Sequence, residues 1–165
     1  MKTILFRGIS AKTGRWIAGS LYRGLTEDGT REYHAIMPPV KTKADGSLGN
    51  EEVIFGPQEF VIVRYDSIGQ YLMDDKNDMP IYEGDIVRQE YDVRTEDKTA
   101  SGFHIGVVRL TAQGAQICSL VHYVAEGIPA DSQPHKSHRL QLRSYRAVVI
   151  GNIHEHPHLL KRPRK

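Results

Sequence analysis

The stretch from Ile68 to Val87, IGQYLMDDKNDMPIYEGDIV, decides the fold of this chain. Its centre, Asp74 to Asp78, is rich in side chains that hydrogen-bond their own backbone, and it therefore predicts a chain reversal. Glu83-Gly84-Asp85 predicts a second, tight turn in which Gly84 supplies a positive φ angle. Short β-prone runs flank both turns. The step from Gly84 to Val87 is typical of the start of a strand in a small SH3-like barrel, an association of fold rather than of chemistry.

The remainder of the chain repeats this pattern of short strands and turn signals. Further β-prone runs are Thr3–Arg7, Arg15–Tyr22, Glu32–Met37, Val53–Phe55, Glu59–Val63, Phe103–Leu110, Ala115–Tyr123 and Arg139–Ile150. Loops are predicted over 40–51, 90–101 and 126–138. Ile153 to Leu160 predicts at most one short C-terminal helix. Many short strands at this spacing predict a mainly β protein, either a barrel or a sandwich. The step after Gly84 favours a small SH3-like barrel elaborated by additional N-terminal strands and hairpins.

Composition limits the class of protein. The chain has 165 residues, of which 39% are apolar and 25% charged. This favours one globular domain with its own core, in the cytoplasm and without membrane contact. The first residues resemble no signal peptide. The single Cys118 excludes an intramolecular disulfide and a cysteine-rich zinc site.

The small net charge of +2 conceals two segments of opposite sign. Residues 74 to 97 hold nine acidic and three basic side chains, whereas residues 135 to 165 hold eight basic side chains and one acidic one. A basic stretch of this kind is one signature of nucleic-acid binding. The candidate phosphate-binding residues are Arg139, Arg143, Arg146, Lys161, Arg162, Arg164 and Lys165. A solvated basic tail over 161–165 is the simpler interpretation.

The same central stretch resembles the signature of the YopX family of phage and prophage proteins. The matching residues are Gly69, Gln70, Tyr71, Asn77, Ile81, Tyr82, Glu83, Gly84, Asp85, Ile86 and Val87. The resemblance extends to Phe6-Arg7-Gly8 near the start and to Val149–Leu160, with Gly151 and Asn152, near the end. There are three departures: Leu72-Met73 replaces a Thr-Gly step of the family, Asp78 stands where the family has glycine, and histidines stand at 154, 156 and 158.

The resemblance implies a mainly β fold with an SH3-like barrel, self-association, and one domain over 1–160 followed by the tail. It carries no established activity and no cofactor. We therefore predict a non-enzymatic interaction module in the host cytoplasm, a homo-oligomer with a host or phage protein as a further possible partner. The signature residues, with Gly151 and Asn152, would then be structural or interaction residues. The alternative is a nucleic-acid-binding accessory protein of phage replication or regulation.

A second alternative is a metal-dependent protein that uses His154, His156 and His158. In an extended chain, side chains two residues apart point to the same face, so the three imidazoles would converge. The hypothesis has little specificity, because such histidines are also common on solvated termini.

No other pattern supports an enzyme. Glu83 and Asp85 are spaced as an acid/base pair, but they flank a turn glycine, and binding of backbone N–H groups explains them more simply. A calcium loop that begins at Asp75 would need an acidic residue where Ile86 stands, so a solvated turn is the preferred interpretation of that segment.

Overall fold

A computed structural model describes residues 4–38, 60–94, 99–123 and 139–160. The strands are β1 (Phe6–Ile9), β2 (Trp16–Leu25), β3 (Glu32–Met37), β4 (Val61–Ile62), β5 (Gly69–Asp74), β6 (Pro80–Tyr82), β7 (Asp85–Arg94), β8 (Thr99–Thr111), β9 (Gly114–Tyr123), β10 (Arg139–Gln141) and β11 (Ala147–Asn152). The described residues contain 3-10 turns but no α-helix, so the predicted mainly β class is confirmed. The chain forms two compact units, residues 1–71 and 72–165.

The first unit is built from sequential antiparallel hairpins. Its strands lie in the order β4-β3-β2-β1-β5. The long strand β2 pairs with two neighbours: its first residues pair with β1 and its last residues pair with β3. Asp28-Gly29 forms the predicted turn of the second hairpin, where Gly29 adopts a φ of 68°. The core of this unit contains Ala35 and Ile36, both fully buried.

The chain returns beside β1 after β4. Ser10 forms an isolated bridge with Val63, and the backbone N–H of Ala11 donates to the carbonyl of Ile62 at 2.9 Å. A 3-10 turn, Tyr65–Ser67, then leads into β5. The buried Ser67 hydroxyl accepts a hydrogen bond from the N–H of Ile9 at 2.8 Å and so ties this turn to β1. Neither sheet closes within the described residues, so the barrel part of the prediction is not confirmed.

The second unit begins within β5 and continues through β6 into a five-stranded sheet. The order of this sheet is β10-β9-β8-β7-β11. Its core consists of Ile81, Val87, Val108, Ala115, Ile117, Leu142 and Ala147. Ile81 and Val87 both come from the signature stretch and are fully buried. The stretch therefore supplies core side chains as well as the turns between strands.

The loop predicted over 90–101 is wrong for most of its length. β7 continues to Arg94 and β8 begins at Thr99, so the two strands form one long antiparallel ribbon. Tyr91 stacks on the buried ring of His104, with centroids 4.2 Å apart. The charged side chains of Glu90 and Asp92 are exposed, so this part of the ribbon needs no continuous apolar pattern.

The single strand predicted over Arg139–Ile150 is also wrong. β10 and β11 lie at opposite edges of the five-stranded sheet, so the chain must cross between them. A 3-10 turn, Ser144–Arg146, lies within this crossing. The buried side chain of Gln89 supports it, since its Oε1 accepts from the N–H of Arg143 at 2.6 Å and its Nε2 donates to the carbonyl of Gln141 at 3.2 Å.

Several predictions fall outside the described residues. They are the strand at Val53–Phe55, the loops over 40–51 and 126–138, and the basic tail at 161–165. The predicted C-terminal helix is a short 3-10 turn, Pro157–Leu160. Among the residues that the structure covers, no helix has the length and apolar character needed to cross a membrane.

Candidate functional site

Asp75 in the first signature turn is a buried structural carboxylate. Only 5% of the residue is exposed. Its Oδ1 accepts hydrogen bonds from the backbone N–H groups of Asn77 at 2.7 Å and Met79 at 3.1 Å, and its Oδ2 accepts one from Val149 at 2.9 Å. The interpretation of this turn as merely solvated is therefore wrong for Asp75, although Asn77 and Asp78 are exposed. The sequence alone did not reveal the contact with Val149, because the two residues are distant in the chain.

The charge of Asp75 is stabilised by these donors. Burial raises the pKa of the carboxyl group, but hydrogen bonds from the N–H groups of Val149, Asn77 and Met79 lower it, and the net pKa is below its ordinary value. N–H donors favour the charged form of a carboxyl group because they interact more strongly with an anion. The side chain therefore acts as a fixed anion that holds the turn against β11.

The second signature turn has the geometry that the sequence predicts. Gly84 adopts a φ of 87°, as expected. Asp85 is 1% exposed, and its Oδ2 accepts a hydrogen bond from the N–H of Tyr82 at 2.8 Å. This confirms the interpretation that the Asp85 carboxylate binds a backbone N–H group. Glu83 beside it is only partly buried.

The closing motif of the chain packs onto this turn. Asn152 of β11 pairs with Asp85 of β7, and the N–H of Ile153 donates to the carbonyl of Gly84 at 3.1 Å. The Oδ1 atom of Asn152 accepts from the N–H groups of His154 at 3.0 Å and Glu155 at 2.9 Å. The central and closing motifs therefore form one structural junction.

The three C-terminal histidines do not lie on an extended strand. A turn covers 153–155 and a 3-10 turn follows, so the alternation assumed for an extended chain is wrong here. The rings of His156 and His158 have centroids 6.0 Å apart. Within the described residues, no group of three or more His, Cys, Asp or Glu side chains is arranged to hold a metal ion. The metal site at His154, His156 and His158 stays a prediction.

His156 has a packing role instead. A Cβ atom added to Gly151 would lie 2.8 Å from Cγ of His156, which shows how closely the imidazole approaches the backbone of β11. Glycine is therefore required at position 151 because the His156 side chain approaches the backbone closely. Its φ angle is not the reason, since it is not in the left-handed region.

The candidate phosphate-binding arginines have different surroundings. Arg146 donates to Asp92 at 3.1 Å, so its charge is partly neutralised by an acidic side chain of β7. Arg139 and Arg143 are exposed. Lys161, Arg162, Arg164 and Lys165 lie outside the described residues. The basic C-terminal stretch is therefore not displayed as one continuous set of cations in the part of the chain that the structure covers.

The first unit contains a surface that no motif in the sequence predicts. Tyr22 pairs with Ala35, and Ala35 pairs with Ile62, so the register places all three side chains on one side of the sheet. Tyr33 lies two residues before Ala35 and Phe60 two residues before Ile62, so both belong to the same side. We call Tyr22, Tyr33, Phe60 and Ile62 the aromatic face.

Ring contacts show that the aromatic face is a packed cluster. The centroids of Tyr22 and Phe60 are 4.8 Å apart, and those of Tyr22 and Tyr33 are 6.3 Å apart. Ala35 lies within this set and is completely buried, whereas Tyr22, Phe60 and Ile62 are 44%, 49% and 54% exposed. Apolar side chains that are grouped and exposed in this way typically mark an interaction surface. The signal in the sequence is the spacing of Tyr22, Tyr33 and Phe60, but it has no meaning until the strand register is known.

The family model described as YopX protein matches residues 6–161. The chain belongs to the YopX family. The match includes the residues of the structural junction and of the aromatic face, so both lie within the YopX region of the chain. No curated protein and no solved structure gives a significant match.

Proposed function

We propose that this YopX protein is a non-enzymatic interaction module and that the aromatic face is its binding surface. The single observation that carries the proposal is the exposure of Tyr22, Phe60 and Ile62 as one cluster above a buried Ala35. The two buried carboxylates of the signature support it as well. Asp75 and Asp85 accept hydrogen bonds from backbone N–H groups, which is a structural use of these side chains.

We further propose that the protein self-associates through a strand edge. Edge strands pair readily with a second chain unless they are covered. β11 is covered along part of its outer edge, because Lys76 N–H donates to the carbonyl of Ala147 at 3.1 Å and Asp75 accepts from Val149. β10 forms the other end of that sheet and is the edge proposed for pairing with a second copy.

The sequence predicts an SH3-like barrel around the strand that follows Gly84, with the N-terminal strands as additions; we propose instead that the first unit forms such a barrel. The supporting features are the division of β2 between β1 and β3, the bridge from Ser10 to Val63, and the 3-10 turn before β5. Together they bring the end of β4 back beside β1. A phage or prophage origin and action in the host cytoplasm complete the proposal, and the resemblance of the signature stretch is their support.

Light scattering of the full-length protein tests self-association directly. We expect a molar mass of at least two chains at micromolar concentration, and a monomer would contradict this part of the proposal. Arg139→Pro and Leu140→Pro form a matched pair, because N–H groups alternate between the two sides of a strand. One of these prolines removes an outward N–H group without removing a hydrogen bond to β9, and the other removes a hydrogen bond to β9. We expect the first variant to remain folded and to have a lower molar mass in light scattering than the natural protein.

The binding surface is tested with the variants Tyr22→Ala and Phe60→Leu. We expect both to fold, since the two side chains are about half exposed. If both variants associate with themselves and with other molecules as the natural protein does, the aromatic face is not the binding surface.

A further inference from the structure

The aromatic face lies next to a group of cations from the same unit. The first 25 residues contain five basic side chains and no acidic one. Lys12 and Arg15 lie in the loop between β1 and β2, and both are exposed. The hydrogen bond from the N–H of Ala11 to the carbonyl of Ile62 places this loop at the Ile62 end of the aromatic face. Exposed rings and exposed cations therefore share one border.

A second aromatic platform continues this arrangement along β2. Trp16 pairs with Ile9 and Arg7 pairs with Ala18, so Trp16 and Arg7 lie on the same side of the sheet as Tyr22. The guanidinium of Arg7 lies 4.5 Å from the centroid of the Trp16 ring. Arg15 directly precedes Trp16 in the chain. Arg7, opposite Ala18, therefore lies between Trp16 and Tyr22 along the sheet, whereas Lys12 and Arg15 lie in the loop that precedes Trp16.

Two exposed carboxylates of the first unit are paired with arginines. Among its described residues, Glu32 forms an ion pair with Arg23, whose side chain alternates to the other side of β2 from Tyr22. Asp66 forms an ion pair with Arg64 at 2.8 Å. None of the ion pairs between described residues includes Lys12 or Arg15. The positive charge beside the rings is therefore not cancelled by these ion pairs.

Exposed aromatic rings bordered by cations match the chemistry of a nucleic-acid strand. Bases present flat apolar faces that stack on aromatic side chains, and the phosphates between them carry negative charge. In a duplex the same base faces are occupied by stacking within the helix. A wholly apolar protein partner would use the rings but would leave Lys12 and Arg15 without a counterpart.

We propose that the aromatic face binds single-stranded nucleic acid, with bases stacked on Tyr22 and Phe60 and phosphates at Lys12 and Arg15. The inference rests on the proposed function in one respect, namely that the aromatic face is a binding surface. It adds the class of partner. It differs from the alternative based on the C-terminal arginines, because it places the site in the first unit.

Fluorescence anisotropy of the full-length protein tests this inference. The probes are a fluorescein-labelled 20-mer of deoxythymidine, a 20-mer of uridine, and a 20-base-pair DNA duplex. We expect the single strands to bind more tightly than the duplex, because their bases are free to stack. Equal or tighter binding of the duplex would overturn the inference.

Substitutions of the rings locate the site. We expect Tyr22→Ala and Phe60→Leu each to weaken binding about 5- to 150-fold, the range expected for one lost stack. Tyr22→Phe retains the ring and should retain binding. Leu25→Ala is the matched control, because Leu25 is 63% exposed on the same strand but lies on the opposite side from Tyr22. Equal effects of Leu25→Ala and Tyr22→Ala would overturn the inference.

Substitutions of the cations test the phosphate contacts separately. The logarithm of the binding constant falls with the logarithm of salt concentration, with a slope of about −0.7 for each phosphate contacted on a single strand. Lys12→Ala and Arg15→Ala should each reduce this slope by about 0.7. Alanine at 161, 162, 164 and 165 should leave the effects of the ring substitutions unchanged. Loss of all binding on substituting this tail, with no effect at Tyr22 or Phe60, would overturn the inference.

Light scattering on the same variants separates the two proposals. If no strand binds and Phe60→Leu lowers the oligomeric mass, the rings contact a second copy, so the inference is wrong while the aromatic face remains a binding surface. If no nucleic-acid strand binds, the natural protein is monomeric, and the ring variants behave as the natural protein does, then the inference and the proposed function both fail.

Discussion

Asp75 and Val149 are joined by a hydrogen bond of 2.9 Å between the carboxylate Oδ2 and the backbone N–H, although 74 positions separate them in the chain. The bond connects the first signature turn to β11, near the closing motif. It also occupies the outer edge of β11, which would otherwise present a free N–H group. One carboxylate thus shapes a turn and covers a strand edge.

We expect Asp75→Asn to destabilise the protein. An amide replaces one of two accepting oxygens with a donor, so at least one of the bonds to Asn77, Met79 or Val149 is lost. Hydrogen bonds to charged groups contribute about 1.5–3 kcal/mol each, and we expect the free energy of unfolding in urea to fall by about that amount. Asp74→Asn, at the exposed neighbouring position, is the control and should change it by less than about 0.5 kcal/mol. Equal effects at the two positions would contradict the structural role of Asp75.

Acid should remove the contribution of Asp75. Its pKa in the folded protein is lower than the ordinary value of 3.8, so the folded state binds the proton less readily than the unfolded state. The stabilisation is therefore complete above the unfolded pKa and is lost as the pH falls through the lower folded pKa. Urea unfolding of the natural protein and of Asp75→Asn should show a difference that is constant near neutral pH and decreases below about pH 4. A difference that does not change with pH would show that the charge of Asp75 is not involved.

The two residues with positive φ in the signature stretch should respond in opposite ways to substitution. Asp78 has a φ of 59° and is the only described non-glycine residue in this region of backbone conformation, whereas Gly84 has a φ of 87°. Asp78→Gly should raise the free energy of unfolding by up to about 1 kcal/mol, because it relieves the strain of a left-handed aspartate. Gly84→Ala should lower it by more than about 1 kcal/mol, since alanine disfavours this φ. Thermal unfolding measures both, and changes of the same sign would contradict the argument.

The contact between Gly151 and His156 predicts a coupling between two substitutions. A Cβ at position 151 would lie 2.8 Å from Cγ of the imidazole, so Gly151→Ala should cost about 1–3 kcal/mol of stability. His156→Ala removes the obstructing ring. In a double-mutant cycle, the cost of Gly151→Ala should therefore be smaller in the His156→Ala background. Additive costs would show that the ring does not restrict position 151.

The C-terminal histidines show how a correct local rule leads to a wrong structure. Residues two apart share a face only when the chain is extended. Here Asn152 accepts hydrogen bonds from the N–H groups of His154 and Glu155 and so stabilises a turn. Asn152 was recognisable as a motif residue, but its bonds depend on its position at the end of β11.

The sequence by itself determined the strand-rich class, the turns at Asp28-Gly29 and Gly84, and membership of the family. These features depend on local backbone preferences and on a motif of adjacent residues, both of which are legible in one segment of chain. Only the tertiary structure decided that Asp75 binds Val149, that β10 and β11 lie at opposite edges, and that Tyr22, Tyr33 and Phe60 form one face. Each of these depends on which strands pair and in which register. A shift of one residue in that register would move every side chain of a strand to the other side of its sheet.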